Sequence, residues 1–265
     1  MRFFLYTLLI VSTLIACKSE FEQARVSNDP ERILKESIKY YDKGDYLRAQ
    51  TLMELVLNQY RGSRQGEELF FKYAYTHYHL ENYQLAATYF TNFASTFAYS
   101  TYTEEADFMT AYSYYKQSPS YRLDQEPSTL AIDAFQDFAN KYPESERVAE
   151  CNKLIDELRV KLEEKAYAQG VLYYDLGQYQ AAIAAFENML SEFPESKRVE
   201  EVRFFILKAS YEYAVNSVYD KRAERYIEAT ARYKEYINRY SKGSYSREAD
   251  EINKKIEVNT KNLSK

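Results

Sequence analysis

Apolar, aromatic and polar positions recur along most of this chain in blocks of the same layout. Each block is built around one alanine, with an aromatic residue eleven positions after it. Around these anchors the apolar side chains follow the three-and-four spacing of amphipathic helices. Blocks that repeat in this way predict a solenoid, in which each unit buries its apolar face against its neighbours. The anchors are Ala49, Ala86, Ala131, Ala182 and Ala229.

Each block is predicted to form a pair of helices, A and B. Gly44 and Gly177 supply the turn between A and B in two pairs, and Pro143 and Pro194 end two of the B helices. Twelve positions before an anchor stand small residues that allow close helix approach, Ser37, Ala74 and Gly170. Four positions after the anchors stand large residues that fill the space between pairs, Met53, Phe90, Phe135, Phe186 and Tyr233. This layout resembles the tetratricopeptide repeat, which implies an all-α, right-handed solenoid of about five such helix pairs.

Three segments depart from the repeat. Residues 116–131 form an unusually long connection inside the third pair, and such loops tend to be functional or disordered. Arg122 and Asp124 are the candidate binding residues there, although Asp124 also suits a cap on the helix entered near Pro127. Residues 146–177 are predicted to form one long helix or two in line. Residues 199–224 are predicted to be an extended helix A of the fifth pair.

The N-terminal region has the pattern of a lipoprotein leader. Residues 3–16 are almost wholly apolar and would span about 21 Å as a helix, too short for a bilayer. Arg2 precedes this run, and Leu14-Ile15-Ala16-Cys17 at its end resembles a bacterial lipoprotein processing box. We therefore expect residues 1–16 to be a signal peptide, Cys17 to be the acylated mature N-terminus carrying groups such as palmitate, and residues 17–31 to be a lipidated tether.

Composition narrows the function classes. The net charge of -5 argues against a nucleic-acid partner, which needs a clustered basic face. Cys151, the other cysteine, is predicted to be a small buried thiol. His77 and His79 lie two apart on a predicted helix and do not suit a metal site. Because no phosphate loop, nucleophile motif or metal-ligand spacing is found, we expect no enzyme activity, no cofactor and no metal.

The leader and the repeats together resemble the BamD family of the β-barrel assembly machinery. The residues that carry the resemblance are the box at Cys17, the five repeats, "RLDQEPSTLAIDAFQDFANKYPES" and "LRVKLEEKAYAQGVLYYDLGQYQAA". It implies a non-catalytic outer-membrane lipoprotein facing the periplasm. The implied partners are the periplasmic domains of the barrel-forming subunit and unfolded outer membrane β-barrel proteins. The resemblance also allows other assembly lipoproteins as partners. Many relatives carry an Asn-Arg pair where this chain has Ala184-Ala185, so one polar partner contact is expected to be absent.

Two groups of residues are the candidates for these contacts. Repeats one to three, residues 32–145, are expected to bind substrate chains through helix A aromatics, each of which also suits a core role. Residues 146–265, with the long linking helix, repeats four and five and a C-terminal capping helix, are expected to dock the barrel-forming subunit. The substrate candidates are Tyr40, Phe71, Tyr75, Tyr78, Tyr112 and Tyr115, and the docking candidates are Arg203, Tyr211, Tyr213, Arg247 and Lys254.

Other functions fit a repeat lipoprotein as well. One alternative is a periplasmic interaction protein that coordinates envelope constriction or peptidoglycan synthesis. Such proteins usually carry an N-terminal coiled coil, and no heptad pattern precedes residue 32 here. Another alternative is an accessory subunit of an envelope enzyme or a nutrient-binding lipoprotein. The repeats alone do not discriminate among these functions.

Overall fold

The computed structural model of the chain describes residues 19–263, and within this range it contains helices, turns and loops but no strand. The all-α class predicted from the sequence is confirmed. In chain order the helices are α1 Glu20–Arg25, α2 Pro30–Asp42, α3 Tyr46–Val56, α4 Arg64–His79, α5 Tyr83–Thr96, α6 Thr103–Gln117, α7 Glu126–Lys141, α8 Val148–Asp175, α9 Tyr179–Glu192, α10 Val199–Val215, α11 Tyr219–Arg239 and α12 Ser246–Leu263. The five predicted repeats coincide with the pairs α2/α3, α4/α5, α6/α7, α8/α9 and α10/α11.

The turns between paired helices form as the sequence predicts. Gly44 and Gly177 have φ angles of 76° and 70°, which glycine adopts without steric cost. The side chain of Asp45 then accepts a hydrogen bond from the backbone N–H of Arg48 and so caps α3. At the other end of the B helices, α7 and α9 each finish two residues before a proline, Pro143 and Pro194.

The helices divide into two compact units. The first contains the described residues up to Pro119 together with Gln125–Ile155, and the second contains Ser120–Asp124 together with the residues from Asp156 onward. The division thus falls inside α8, whereas the sequence suggested a boundary just before that helix. The reason is that Cys151, Leu154 and Ile155, in the first turns of α8, are buried and belong to the first unit.

The anchor positions form the core of each unit. In the first unit Ala49, Ala86 and Ala131 are fully buried, and so are the large residues four positions after them, Met53, Phe90 and Phe135. In the second unit Ala182, Ala229 and Phe186 are fully buried in the same way. Small and large side chains therefore alternate across the helix pairs, as close packing requires. Helix α12 covers the last pair with three buried side chains, Ala249, Ile252 and Ile256.

Part of the segment predicted as a tether is folded. Ser19 caps α1 by accepting a hydrogen bond from the backbone N–H of Glu22, and the spacing of these two residues is that of a capping box. The α1 residue Ala24 is fully buried, and the ring of Phe21 packs edge-on against Tyr40 at 5.9 Å. Within the segment expected to be a tether, Glu20–Arg25 thus form a short helix, which two apolar side chains three positions apart dock on α2 and α3.

The fifth pair also differs from its prediction. Helix A ends at Val215, and the extension belongs to helix B, which begins at Tyr219. The break is fixed by two arginines of α11. Arg222 Nε donates to the carbonyl oxygen of Ser217 at 2.9 Å, and Arg225 donates to the Ser217 hydroxyl. These bonds hold the Ser217 backbone outside both helices, so the predicted continuous helix over residues 199–224 does not form.

Candidate functional site

A continuous row of aromatic side chains crosses the three helix pairs of the first unit. Its members come from the A helices α2, α4 and α6 and from the first residues of the B helices α3 and α5. We call this row the aromatic ladder. It consists of Tyr41, Tyr46, Tyr75, Tyr78, His79, Tyr83, Tyr112 and Tyr115.

Ring contacts link the pairs to one another. Tyr46 of the first pair stacks on His79 of the second at a centroid distance of 4.1 Å. Tyr78 of the second pair meets Tyr112 of the third at 6.2 Å, and Tyr112 stacks on Tyr115 at 5.6 Å. The two tyrosine pairs lie in the range of favourable aromatic pairs, about 4.5–7 Å, and the stacked Tyr46–His79 pair is slightly closer. The ladder is therefore one connected surface rather than three separate clusters.

Helical spacing produces the ladder. Tyr75 and His79 are four residues apart on α4, and Tyr112 and Tyr115 are three apart on α6, so each set lies on one helix face. His79 is exposed, whereas Tyr75, Tyr78 and Tyr112 are half-buried. The rings thus contribute to packing with one side and leave another side at the surface. Such a surface suits apolar or aromatic side chains of a second chain.

The ladder is uncharged at neutral pH, and charged groups lie around it. Burial, and then the neighbouring Tyr112 and Tyr83, raise the pKa of Tyr78 to about 12, so its phenol stays protonated. Burial also raises the pKa of Tyr75, whose hydroxyl donates to Glu105 Oε1 at 2.5 Å. The ammonium groups of Lys72 and Lys116 lie 4.5 Å and 5.6 Å from the ring centroids of Tyr41 and Tyr83. Because the rings themselves are neutral, the ladder suits apolar ligands.

Four of the six predicted substrate residues lie on the ladder, and two do not. Tyr75, Tyr78, Tyr112 and Tyr115 are ladder members. Tyr40 instead packs on Phe21 of α1, where the short helix covers it. Phe71 packs edge-on against the ladder residue Tyr75 at 5.1 Å and stacks on Tyr102 at 4.6 Å. Phe71 therefore borders the ladder, whereas Tyr40 packs between α1 and α2.

Sequence reasoning missed the other half of the ladder. Tyr46 and Tyr83 stand three positions before the anchors Ala49 and Ala86. His79 was considered only as a metal ligand, yet it stacks between Tyr46 and Tyr75. Tyr41 completes the row by packing edge-on against Tyr46 at 5.6 Å. The tyrosine that begins both α3 and α5 was the available signal.

The inserted loop contributes a groove to the second unit. Lys165 Nζ of α8 donates to the carbonyl oxygen of Leu123 at 2.6 Å and so ties the loop to the helix. The groove beside this contact has a volume of about 500 Å³. Arg122 lines it and places its guanidinium 5.4 Å from the ring centroid of Tyr121. Asp124 is exposed, and the helix cap near Pro127 is Gln125 rather than Asp124.

The docking candidates of the second unit face different neighbours. Arg203 forms an ion pair with Glu235 at 2.7 Å beside a cavity of about 300 Å³, and its buried Nε has no hydrogen-bond partner. Tyr211 packs against Tyr226 at 6.5 Å. Tyr213 donates to Gln180 at 2.9 Å. The structure therefore does not bring these three residues into a single patch.

The remaining docking candidates lie on α12. The side chain of Arg247 is 92% exposed and lies 3.6 Å from Glu251. Lys254, about one turn after Glu251, is also exposed. Surface ion pairs of this kind contribute little to stability. Both cations are thus available to a partner without loss of a core contact. Cys17, the predicted lipidation site, lies outside the described residues.

Two further searches of the described residues found neither a metal cluster nor a membrane-spanning helix. Among residues 19–263, no three histidine, cysteine or acidic side chains are placed to hold a metal ion. Within the same range, none of the helices is both long enough and apolar enough to cross a bilayer.

Comparison with known proteins assigns the family. Residues 27–209 match the family model described as YfiO, outer membrane lipoprotein. The chain belongs to the YfiO family of outer membrane lipoproteins. The family resemblance predicted from the sequence is confirmed.

A curated relative of this YfiO chain is the outer membrane protein assembly factor BamD of Caulobacter vibrioides. It is 24% identical over 168 residues, which are 63% of this chain and 55% of the relative. The chain thus spans about half the length of the curated relative that it matches.

Two solved structures are similar to the YfiO chain at low identity. A thermophilic TPR protein of Thermus thermophilus is 16% identical, with a TM-score of 0.33, covering 84% of this chain and 98% of that chain. The TPR2AB domain of yeast Sti1, in its pHSP90 complex, is 13% identical, with a TM-score of 0.39, covering 86% of this chain and 98% of that chain.

Proposed function

We propose that this protein is a non-catalytic, lipid-anchored component of the β-barrel assembly machinery that faces the periplasm. Its first unit receives unfolded outer membrane β-barrel chains on the aromatic ladder. Its second unit docks the periplasmic domains of the barrel-forming subunit. The family assignment and the curated BamD relative support the general role. The proposal needs no cofactor and no metal.

The aromatic ladder is the observation that carries the proposal. A chain that will form a β-barrel presents alternating apolar side chains before it inserts. The ladder offers neutral aromatic rings in series across three helix pairs, linked by the contact of Tyr78 with Tyr112. Aromatic side chains on a rigid scaffold bind apolar groups at a low cost in conformational entropy. An extended apolar segment is therefore the ligand that this surface fits best.

Crosslinking from the ladder tests the substrate role. A photoreactive phenylalanine analogue replaces Tyr112, which is half-buried on the ladder, in cells that make outer membrane proteins. The matched control replaces Tyr99, an exposed tyrosine that has no ring contact among the described residues. We expect nascent barrel proteins to be captured at position 112 and not at position 99. Equal capture at both positions, or no capture at position 112, would refute the role of the ladder.

We assign the docking role to the second unit because it has exposed cations and half-buried tyrosines that are not part of the ladder, and the ladder is already assigned to substrate chains. Arg247 and Lys254 on α12 present charge, and Tyr213 lines a groove of about 540 Å³ with Asn216 and Gly177. A polar rim of this kind suits the edge of an interface, and the groove supplies its more apolar part. Arg122, on the inserted loop, lines a second groove of the same unit.

Charge reversal tests the docking role in the full-length protein. Arg247→Glu combined with Lys254→Glu is expected to reduce copurification of the barrel-forming subunit. The control is Arg64→Glu, an exposed arginine at the start of α4 in the first unit. If the control reduces copurification as much as the α12 variant, the docking surface has been assigned to the wrong unit.

Intact-mass analysis of protein extracted from membranes tests the anchor. The expected N-terminal residue is Cys17, and its expected mass includes a diacylglycerol and an amide-linked acyl chain. An unmodified Cys17, or another N-terminal residue, would refute the lipoprotein assignment for this chain.

A further inference from the structure

The short helix α1 is fixed to the first helix pair by three different kinds of contact. Ala24 is fully buried in the core that α1 shares with α2 and α3. Phe21 packs on Tyr40, and the guanidinium of Arg48 lies 5.8 Å from the Phe21 ring centroid. Lys39 Nζ forms an ion pair with Glu20 Oε2 at 2.7 Å. The segment from Glu20 onward is therefore part of the folded unit rather than a flexible spacer.

These contacts also fix the direction of α1. Its first residue, Glu20, pairs with Lys39 near the end of α2, whereas Gln23 accepts a hydrogen bond from Arg32 near the start of α2. The two helices are thus antiparallel. The N-terminus of α1 consequently lies beside the turn that joins α2 to α3. Lys43, in that turn, is close enough to act electrostatically on Glu20.

The chain between the lipid site and α1 is very short. Cys17 is three residues before Glu20, so their Cα atoms are separated by at most about 11 Å in an extended chain. If acyl chains on Cys17 are inserted in a bilayer, Glu20 and the adjoining turn cannot move far from its surface. A tether of the length expected from the sequence would have allowed a much larger distance.

The α2–α3 turn carries side chains that fit a membrane interface. Lys43 is exposed, and Leu47, in the first turn of α3, is 65% exposed although it is apolar. An ammonium group can pair with lipid phosphates while a leucine enters the boundary of the acyl region. From the reach of the chain and from these side chains, we infer that the α2–α3 turn of the first helix pair rests against the lipid head groups around acylated Cys17. This inference depends on the proposed lipidation.

Quenching by head-group nitroxides tests this contact on the full-length acylated protein. A fluorophore is attached at Lys43→Cys, and the matched control carries it at Asn58→Cys, which is exposed just beyond the other end of α3. Helix α3 separates the two positions by about 16 Å. Both variants also carry Cys151→Ala, and the thioether at Cys17 does not react with the label. The vesicles contain phosphatidylethanolamine and phosphatidylglycerol, with nitroxide-labelled lipid.

We expect strong quenching at position 43 and weak quenching at position 58. A twenty-residue Gly-Ser insertion between Lys18 and Ser19 extends the reach by roughly 25 Å, and we expect it to abolish most of the quenching at position 43. Equal quenching at both positions, no quenching at position 43, or no effect of the insertion would overturn the inference.

Mass analysis of the same preparation separates the two possible failures. Acylated Cys17 without quenching at position 43 overturns only the membrane contact. An unmodified Cys17 overturns the lipoprotein proposal, and the contact with it.

Discussion

Gly170 gives the most direct test of how the repeats pack. It lies inside α8, twelve positions before the anchor Ala182, and is buried. A Cβ atom at this position would lie 2.4 Å from Cε1 of Phe186 and within 2.8 Å of two further ring atoms. Phe186 cannot readily move, because it is fully buried and stacks on Phe205 at 5.4 Å. The substitution Gly170→Ala therefore forces an overlap into a packed core.

Two opposing effects determine the change in the free energy of unfolding. Alanine stabilises a helix interior by about 1 kcal/mol relative to glycine. Overpacking of a core costs typically about 1–3 kcal/mol. Three ring atoms of Phe186 would lie closer to the new Cβ than any normal contact, and Phe205 packs against the ring. We therefore place the cost of overpacking near the upper end of that range. The net destabilisation expected for Gly170→Ala is about 1–2 kcal/mol.

The loss of stability is measured by urea unfolding, with hydrogen-exchange mass spectrometry as the probe. This probe reports on α8 and α9 separately from the first unit. Phe186→Leu should relieve the overlap, so the double variant should lose less stability than the sum of the single variants. Asn188→Ala, at an exposed position of α9, is the control and should be neutral or slightly stabilising. If Gly170→Ala is as stable as the wild type, α8 and α9 do not approach each other as closely as the contact between Gly170 and Phe186 requires.

Turn geometry and burial give three further expectations. Gly177→Ala should destabilise the second unit by about 1–2 kcal/mol in urea unfolding, because the φ angle of 70° is unfavourable for alanine; an unchanged midpoint would contradict this. Burial of His77, and partial desolvation of the otherwise exposed His79, lower their folded-state pKa values, so the unfolded chain takes up more protons and the stability of the first unit should fall below about pH 6.5. Replacing both by glutamine should weaken this dependence between about pH 7.5 and 5.5, and an unaltered pH profile would count against it. Burial raises the pKa of the Cys151 thiol to about 11, so maleimide at neutral pH should label it in urea but not in the folded protein.

Much of the candidate site was accessible from the sequence, and the misses have physical causes. Tyr75, Tyr78, Tyr112 and Tyr115 were predicted because three-and-four spacing places them on one face of an A helix. Tyr40 was listed with them as another aromatic of an A helix. In the structure α1, a helix of six residues, packs Phe21 against Tyr40, so this ring lies apart from the ladder. A helix so short leaves little periodicity to detect.

The sequence by itself determined the all-α class, the five helix pairs and their turns. These features depend on local rules: anchor spacing, helix periodicity, glycine at positive φ and proline after a B helix.

Only the tertiary structure decided which tyrosines meet across pairs, where α8 divides between units and how α1 docks. Each of these depends on contacts between residues distant in the chain, such as Tyr78 with Tyr112 and Glu20 with Lys39. Local patterns specify which face of a helix is apolar. They do not specify which neighbouring side chain covers that face, because this depends on how the helices approach one another in three dimensions.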